Sequence, residues 1–498
     1  MKNQNNRGNL PCWAHLLVMT PLVAVLAGCV AGPNFNQPAP PNATDYTHGA
    51  PPVTTAASPE VHGGQQQFMT APVPTQWWKE LHSDKLTRLI DQALVASPTL
   101  TAAQATMRQA EQSYAGLSGS TQLPQANAKL GGQRQGTNTA TAGLPEGERT
   151  YSLYSASVAV SYDLDLAGGN RRALEALAAQ VDYQSYQLEG ARLALASNIV
   201  QTAITQAQLT SQIDATEKLL QAQVAQLTLT KKRLELGVAT QLEVLALQTL
   251  VQQTQAGLPV LCNKREQTRH LLAVLAGQAP SDANVPSFEM ADFSLPTMLP
   301  ISVPSELVRR RPDIRASEAL LHAAGAQYGV TLAKQYPQLT LSANLGSQVL
   351  TIASLFGTGS MIWSLGGQLV QPLFNLSLKA NTKAAEAGLV AAEANYKQIV
   401  LQSMRNVADV LRTVESDAKV QQLLENATAS AQESLGLAEL QYASGTASYL
   451  QVLQSQQQAQ QTLISTLELR ARRLANTIAL YQAMGGGWVE SAKHVYGQ

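Results

Sequence analysis

Two hydrophobic periods alternate along this chain. From Asp84 apolar residues recur at helical spacing, which predicts a helix to about Leu123, ended by Pro124. The period then falls to two, and Ala126, Ala128 and Leu130 alternate with Asn127 and Lys129. A second such run is clearer, with Tyr154, Ala156, Val158, Val160 and Tyr162 on one face and Ser155, Ser157, Ser161 and Asp163 on the other. Helical spacing returns at about Asn170 and holds to Leu236 without a proline, roughly 100 Å at 1.5 Å per residue. Gly237 is placed to give the left-handed cap of a turn, and another helix runs to near Gly277. The order is helix, β-hairpin, long helix, tight turn, helix.

The same order recurs. A helix from about Pro304 to Tyr336 ends at Pro337, then Leu339, Leu341, Ala343 and Leu345 alternate with Thr340, Ser342 and Asn344. Trp363, Leu365 and Leu369 oppose Ser364 and Gln368. A long helix from about Ser377 to Ser444 follows, then Gly445 and a helix to near Gly485. Ser97-Pro98-Thr99-Leu100 corresponds to Arg311-Pro312-Asp313-Ile314, and Leu123-Pro124 to Tyr336-Pro337. The stretch from Leu236 to Leu245 corresponds to that from Ser444 to Leu453, at an offset of about 210 residues. The chain therefore divides into two repeats, 76–300 and 301–488, with a tail over 489–498. Residues 29–75, rich in Pro, Ala, Thr and Gly, predict an extended tether.

Helices this long must pack against similar helices, because no compact domain covers them. Each strand has about the length a tilted transmembrane strand needs, and the tyrosines at the ends of one apolar face match an interfacial girdle. A soluble half-buried sheet alternates in the same way. The N-terminus favours the membrane. Lys2 and Arg7 precede an apolar stretch from about Leu16 to Leu26, giving a secretory signal over 1–28. Leu26-Ala27-Gly28-Cys29 is a lipoprotein cleavage site, in which Cys29 becomes the first mature residue and carries S-diacylglycerol and N-palmitoyl chains. The other possibility is an ordinary signal with a cysteine at its cleavage site. Two or more acyl chains anchor stably where one does not. Val30 follows instead of an aspartate, which directs the protein to the outer membrane of a Gram-negative bacterium, with its helices in the periplasm.

Charged residues are 14%, aromatics 5% and the formal net charge zero, so there is no electrostatic case for nucleic acid. The mature cysteines are Cys29 and Cys262, and lipidation of the first leaves Cys262 without a disulfide partner. No stretch after the signal is long and apolar enough for a transmembrane helix. Four strands cannot close a membrane barrel, and an open edge in lipid leaves backbone groups unpaired. Strands that span the membrane therefore require oligomerisation.

Several separated motifs carry a resemblance. They are Gln76-Trp77-Trp78-Lys79-Glu80-Leu81 with Asp84, Leu86, Leu89 and Ile90, and Arg310-Arg311-Pro312-Asp313-Ile314-Arg315 with Glu318. Trp363-Ser364-Leu365 with Gln371-Pro372-Leu373-Phe374, and Tyr442, Gly445, Leu450, Val452 and Leu453, complete the set. In this order they resemble the outer-membrane factor family of TolC-like efflux channels, in particular its NodT-type lipoprotein branch. The resemblance runs from about Gln76 to Trp488. It implies an α+β membrane protein, a homotrimer whose four strands per chain form one twelve-stranded β-barrel continuous with a twelve-helix periplasmic tube. It also implies a periplasmic adaptor and an inner-membrane pump of the resistance-nodulation-division type as partners, and efflux of drugs or other small toxic compounds. The same channel shape serves type I protein secretion and metal-ion efflux. From another class, a periplasmic coiled-coil lipoprotein without a pore stays open.

In that family, carboxylates one turn beyond the glycine turn narrow the periplasmic end. Here the matching positions hold Gln451 and Gln454, and Glu243 stands in the corresponding place of the first repeat. Leu450 and Leu453 are candidates for a hydrophobic constriction. Tyr442 and the turn glycines Gly237 and Gly445 complete the candidate tip. The alternatives are solvated helix ends for the polar residues and ordinary core positions for the leucines. Arg309, Arg310, Arg311 and Arg315 read as a solvated helix start with internal salt bridges, Pro312 sitting in the first turn. No histidine spacing suits a metal, and no Walker loop, nucleophile elbow or zinc motif occurs. Neither enzyme activity nor a cofactor is expected, apart from the lipid.

Overall fold

The computed structural model describes residues 30–48, 53–58, 62–138, 147–281 and 284–488. The signal over 1–28, Cys29 and the 489–498 tail lie outside the described residues. In chain order the elements are β1 (Gln67–Thr70), α1 (Asp84–Ala96), α2 (Pro98–Gln122), β2 (Gln125–Asn138), β3 (Glu148–Leu164), α3 (Gly169–Glu235) and α4 (Gln241–Leu275). Then come β4 (Met298–Ile301), α5 (Pro304–Arg310), α6 (Pro312–Ala333), β5 (Gln338–Val349), β6 (Met361–Val370), α7 (Leu376–Ala443) and α8 (Tyr449–Ala483). The series α1–α2–β2–β3–α3–α4 is matched by α5–α6–β5–β6–α7–α8.

The predicted first helix of each repeat is in fact two. Ser97 (ψ 123°) and Arg311 (ψ 123°) are extended, and α2 and α6 begin at the prolines that follow. The pyrrolidine ring bars the preceding residue from the α region, yet suits the first helical turn, where its missing N–H is not needed. Each break has a glycine against it. A Cβ on Gly277 would lie 2.6 Å from the Ala96 carbonyl, and one on Gly485 2.4 Å from that of Arg310. Both glycines have positive φ and close their return helices. The four repeated motifs, two X-Pro breaks and two glycine caps, are thus two packing contacts.

Two compact units divide the chain, and each takes segments of both repeats. One comprises the chain before Pro38, Arg108–Tyr183 and Glu318–Asn395, and the other holds the rest. The first unit contains an antiparallel sheet in the order β2-β3-β5-β6. Its register confirms the alternation read from the sequence. One row crosses the sheet as Ala128, Val158, Leu345 and Trp363, the next as Ala126, Val160, Ala343 and Leu365, and others hold Tyr162 with Leu341 and Leu164 with Leu339 and Leu369. The opposite face carries Asn127, Ala159, Asn344 and Ser364, then Gln125, Ser161, Ser342 and Gly366. The apolar face is bare, with Leu130 80%, Trp363 73% and Leu365 78% exposed.

The second unit has a conventional core. Trp77, Leu81, Leu86, Ile90, Ile199, Ile204, Leu272, Phe288, Leu299 and Tyr481 are all almost fully buried, each contributing about 1.5–3 kcal/mol of apolar transfer. Trp77 stacks on Tyr481 with centroids 5.9 Å apart. Part of the expected tether belongs to this unit and is not loose. Gln67–Thr70 pairs in parallel with Met298–Ile301. Buried Gln66 donates to Pro296 O and Thr477 Oγ1, both at 3.0 Å. Arg473, 1% exposed, donates to His62 O at 3.1 Å, Gly64 O at 2.6 Å and Gln421 Oε1 at 3.0 Å. Buried polar groups demand partners, and here the extended segment supplies them.

Candidate functional site

The turns at Gly237 and Gly445 form as the sequence predicts, and each is a Schellman-type cap. Gly237 N donates to Leu234 O and Val238 N to Arg233 O, while Gly445 N donates to Tyr442 O and Thr446 N to Gln441 O. Both glycines have φ near +75° and open space around them. Thr240 then caps α4 by accepting from Glu243 N at 3.3 Å. At α8 the Ser448 side chain makes no such bond.

The two hairpin tips of the second unit meet. Tyr442 Oη donates to Glu243 Oε2 at 3.3 Å. The Arg233 guanidinium lies over the Tyr442 ring at 4.9 Å, and the Tyr449 ring is 5.3 Å from it. Beneath them Leu247, Ala438, Tyr449 and Val452 form a small buried cluster, with Tyr442 and Leu453 packed against it. Burial, then the Glu243 charge, push the Tyr442 pKa above the ordinary phenol value. Burial likewise pushes Tyr449 up. Both hydroxyls therefore stay protonated, and Tyr442 stays a donor.

Of the candidate tip residues, Glu243 and Tyr442 are brought together. Leu453 joins the cluster, whereas Leu450, Gln451 and Gln454 are exposed in the chain. Arg233 and Tyr449 were not singled out by sequence reasoning. A basic residue in the last turn of α3 was the available signal, since cations favour helix C-termini.

The arginine cluster departs from its sequence reading at Arg311 and Arg315. Arg310 does pair with Glu306 at 3.5 Å. Arg311 makes a two-pronged pair with Asp313 at 3.0 and 2.7 Å and also donates to Ala483 O, at the end of α8, at 2.8 Å. Arg315 is buried, donates to Tyr186 Oη at 3.0 Å and sits over its ring at 5.2 Å. The planar guanidinium can stack and donate at once, so Arg311 and Arg315 join helices, while Arg309 is exposed and Arg310 keeps the internal salt bridge expected of it. Cys262 is a free, half-buried thiol. Among the described residues no His, Cys, Asp or Glu group is arranged to hold a metal, and no helix is long and apolar enough to cross a membrane.

The other distinctive feature is the sheet. From Tyr154 to Leu164 its apolar face runs ten residue steps, about 34 Å along the strand and about 26 Å across a bilayer at ~40° tilt. Among the described residues its outer strands, β2 and β6, each have one neighbour.

Known proteins share this architecture. The chain is 31% identical over 478 residues to the pyoverdine export outer membrane protein OpmQ of Pseudomonas putida, covering 95% of this chain and 97% of that one. It is 28% identical over 478 residues to the probable outer membrane lipoprotein SilC of Salmonella typhimurium, covering 94% and 98%. The solved structure of the outer-membrane channel OprN superposes with a TM-score of 0.82 at 24% identity, covering 92% of this chain and 100% of that one. Residues 89–278 and 303–486 each match the outer membrane efflux protein family, and the chain belongs to that family, as an outer-membrane component of efflux.

Proposed function

We propose that this chain is the passive outer-membrane exit duct of a tripartite efflux pump. The observation that carries the proposal is a four-stranded sheet with one bare apolar face of bilayer height and two edges unpaired among the described residues. Open edges are not tolerated in lipid. Three copies pairing β6 of one with β2 of the next complete a twelve-stranded barrel with no edge. The opposite face, lined by Ser, Asn, Gln and Thr, then faces water. The helices form the periplasmic tube, and the tips meet an adaptor coupled to an inner-membrane pump of the resistance-nodulation-division type.

Cys29 is the lipid-bearing residue in this reading, supported by Leu26-Ala27-Gly28-Cys29 and by the lipoprotein name of the SilC relative. The gate is the tip, closed by the Tyr442–Glu243 contact with Leu450, Gln451, Leu453 and Gln454 beside it. Small molecules are the cargo, as in the export named for the OpmQ relative. The nearly uncharged lumen face discriminates little among them. Energy and selection come from the pump, and the duct performs no chemistry.

Planar-bilayer recording of detergent-purified protein, beside unheated SDS gel mobility, tests this. Discrete openings and an SDS-resistant trimer are expected. A monomeric band without conductance refutes the duct.

A further inference from the structure

The first described residues are gripped by the unit that carries the four-stranded sheet. Arg172, in the first turn of α3, is 3% exposed. Its Nε donates to Ala31 O at 3.0 Å, and its Nη2 to Gly32 O at 3.1 Å and Asn34 Oδ1 at 2.8 Å. Nη1 donates to Glu175 Oε2 at 2.6 Å. The other Glu175 oxygen pairs with His322 Nε2 at 2.8 Å, and the His322 ring stacks on Phe35 with centroids 4.2 Å apart. Ala31 N donates to Ala167 O at 2.9 Å, just past the end of β3.

Glycines make room for this chain. A Cβ on Gly168 would lie 2.9 Å from Val30 Cα, one on Gly32 2.8 Å from Gly329 Cα, and one on Gly329 2.9 Å from Ala31 O. A buried guanidinium is costly unless its N–H groups find acceptors. Here three of the four acceptors named belong to residues 31–34. The arginine is therefore built to hold the N-terminal segment, and the fork geometry suits adjacent carbonyls.

We propose that Arg172, Glu175, His322 and Phe35 form a clamp that fixes the mature N-terminus against the helical end of the sheet, so that Cys29 presents its lipid at one height. The proposal rests on the reading of Cys29 as the lipidated residue. Only Val30 separates Cys29 from Ala31, so chain length alone keeps the two Cα atoms within about 7 Å. A fixed anchor sets the height of the sheet relative to the leaflet that holds the lipid, which a loose tether of the same length leaves free.

Chymotryptic cleavage after Phe35 reads the clamp, and the mass of the released Cys29–Phe35 peptide reads the lipid. The full-length protein is digested in mild detergent after extraction from outer membranes, with cleavage elsewhere in the chain as internal standard. Wild type is expected to cleave slowly, and Arg172→Ala and His322→Ala about tenfold faster or more, with the acyl mass unchanged. Arg172→Lys keeps the charge, loses the fork and cleaves faster than wild type. His322→Ala leaves Arg172 and its acceptors in place, so it decides alone if the arginine variant does not fold. Wild-type rates in the folded variants overturn the clamp. A released peptide without acyl mass overturns the lipid reading and leaves the rate comparison standing.

Discussion

Deleting one oxygen tests whether the tip contact closes the duct. Tyr442→Phe removes the donor to Glu243 Oε2 and keeps the ring beneath Arg233 and beside Tyr449. The bond is long at 3.3 Å and both residues are half-buried. Its contribution therefore falls toward the lower end for a charged acceptor, about 1 kcal/mol per chain. In a trimer that opens as one body three such contacts break together. The balance then shifts toward the open state by about 3 kcal/mol, roughly 150-fold. Single-channel recording measures this as the fraction of time spent closed. Glu243→Gln retains a neutral acceptor and should shift the balance less. The double variant should add little to Tyr442→Phe, because both changes remove one interaction. Wild-type gating in Tyr442→Phe, or full additivity of the two changes, refutes the latch.

Gly485→Ala should cost about 3 kcal/mol or more, because its Cβ would collide with the Arg310 carbonyl at 2.4 Å and its φ is +92°. Gly445→Ala, in open space at φ +75°, should cost only the left-handed strain of about 1–2 kcal/mol; thermal unfolding of the two variants checks the order. Arg473→Met leaves the His62 and Gly64 carbonyls without their donor, and hydrogen exchange over 62–70 should quicken about tenfold or more. His62 donates to Phe293 O at 2.7 Å, and burial, the largest cause, holds its pKa below the ordinary imidazole value. The folded state thus binds fewer protons than the unfolded, so this contribution is present above about pH 6.5 and lost as pH falls. Exchange over 62–66, corrected for intrinsic rates, should quicken on going from about pH 7.5 to 5.5. His62→Asn, which tolerates the φ of 61°, should abolish that dependence.

The strand faces and the glycine-capped tips were legible because both depend on local periodicity and local backbone demands. Tyr154 to Tyr162 alternate with Ala159 as the one exception, and Gly237 and Gly445 follow long uninterrupted helical runs. The break at Ser97 was not legible, since helical spacing continues on both sides, whereas the one at Arg311 showed itself in part, because Pro312 suits the first turn of a helix. Strand β1 was hidden because its partner lies about 230 residues away in the chain, and a four-residue strand carries little pattern of its own. Arg315 read as a solvated charge, because only a tertiary acceptor, Tyr186 Oη, makes its burial possible, and nothing local singled out Arg473, whose acceptors include the His62 carbonyl. The Tyr442–Glu243 contact joins residues 199 apart, so the sequence supplied its members without pairing them.

That pairing also shows what the duplication makes possible. Glu243 corresponds to Gln451 in the second repeat, and Tyr442 corresponds to Leu234 in the first. Neither repeat holds both halves of the contact. Divergence after duplication lets one tip carry the acceptor with its Thr240 cap and the other the donor with its aromatic neighbour. Combining Glu243→Gln with Gln451→Glu should therefore weaken the latch although the overall charge of the chain is unchanged. The closed fraction in single-channel recordings should fall to that of Glu243→Gln alone. Recovery of wild-type gating in the swapped chain would show that net charge at the tips, and not this one geometry, holds them shut.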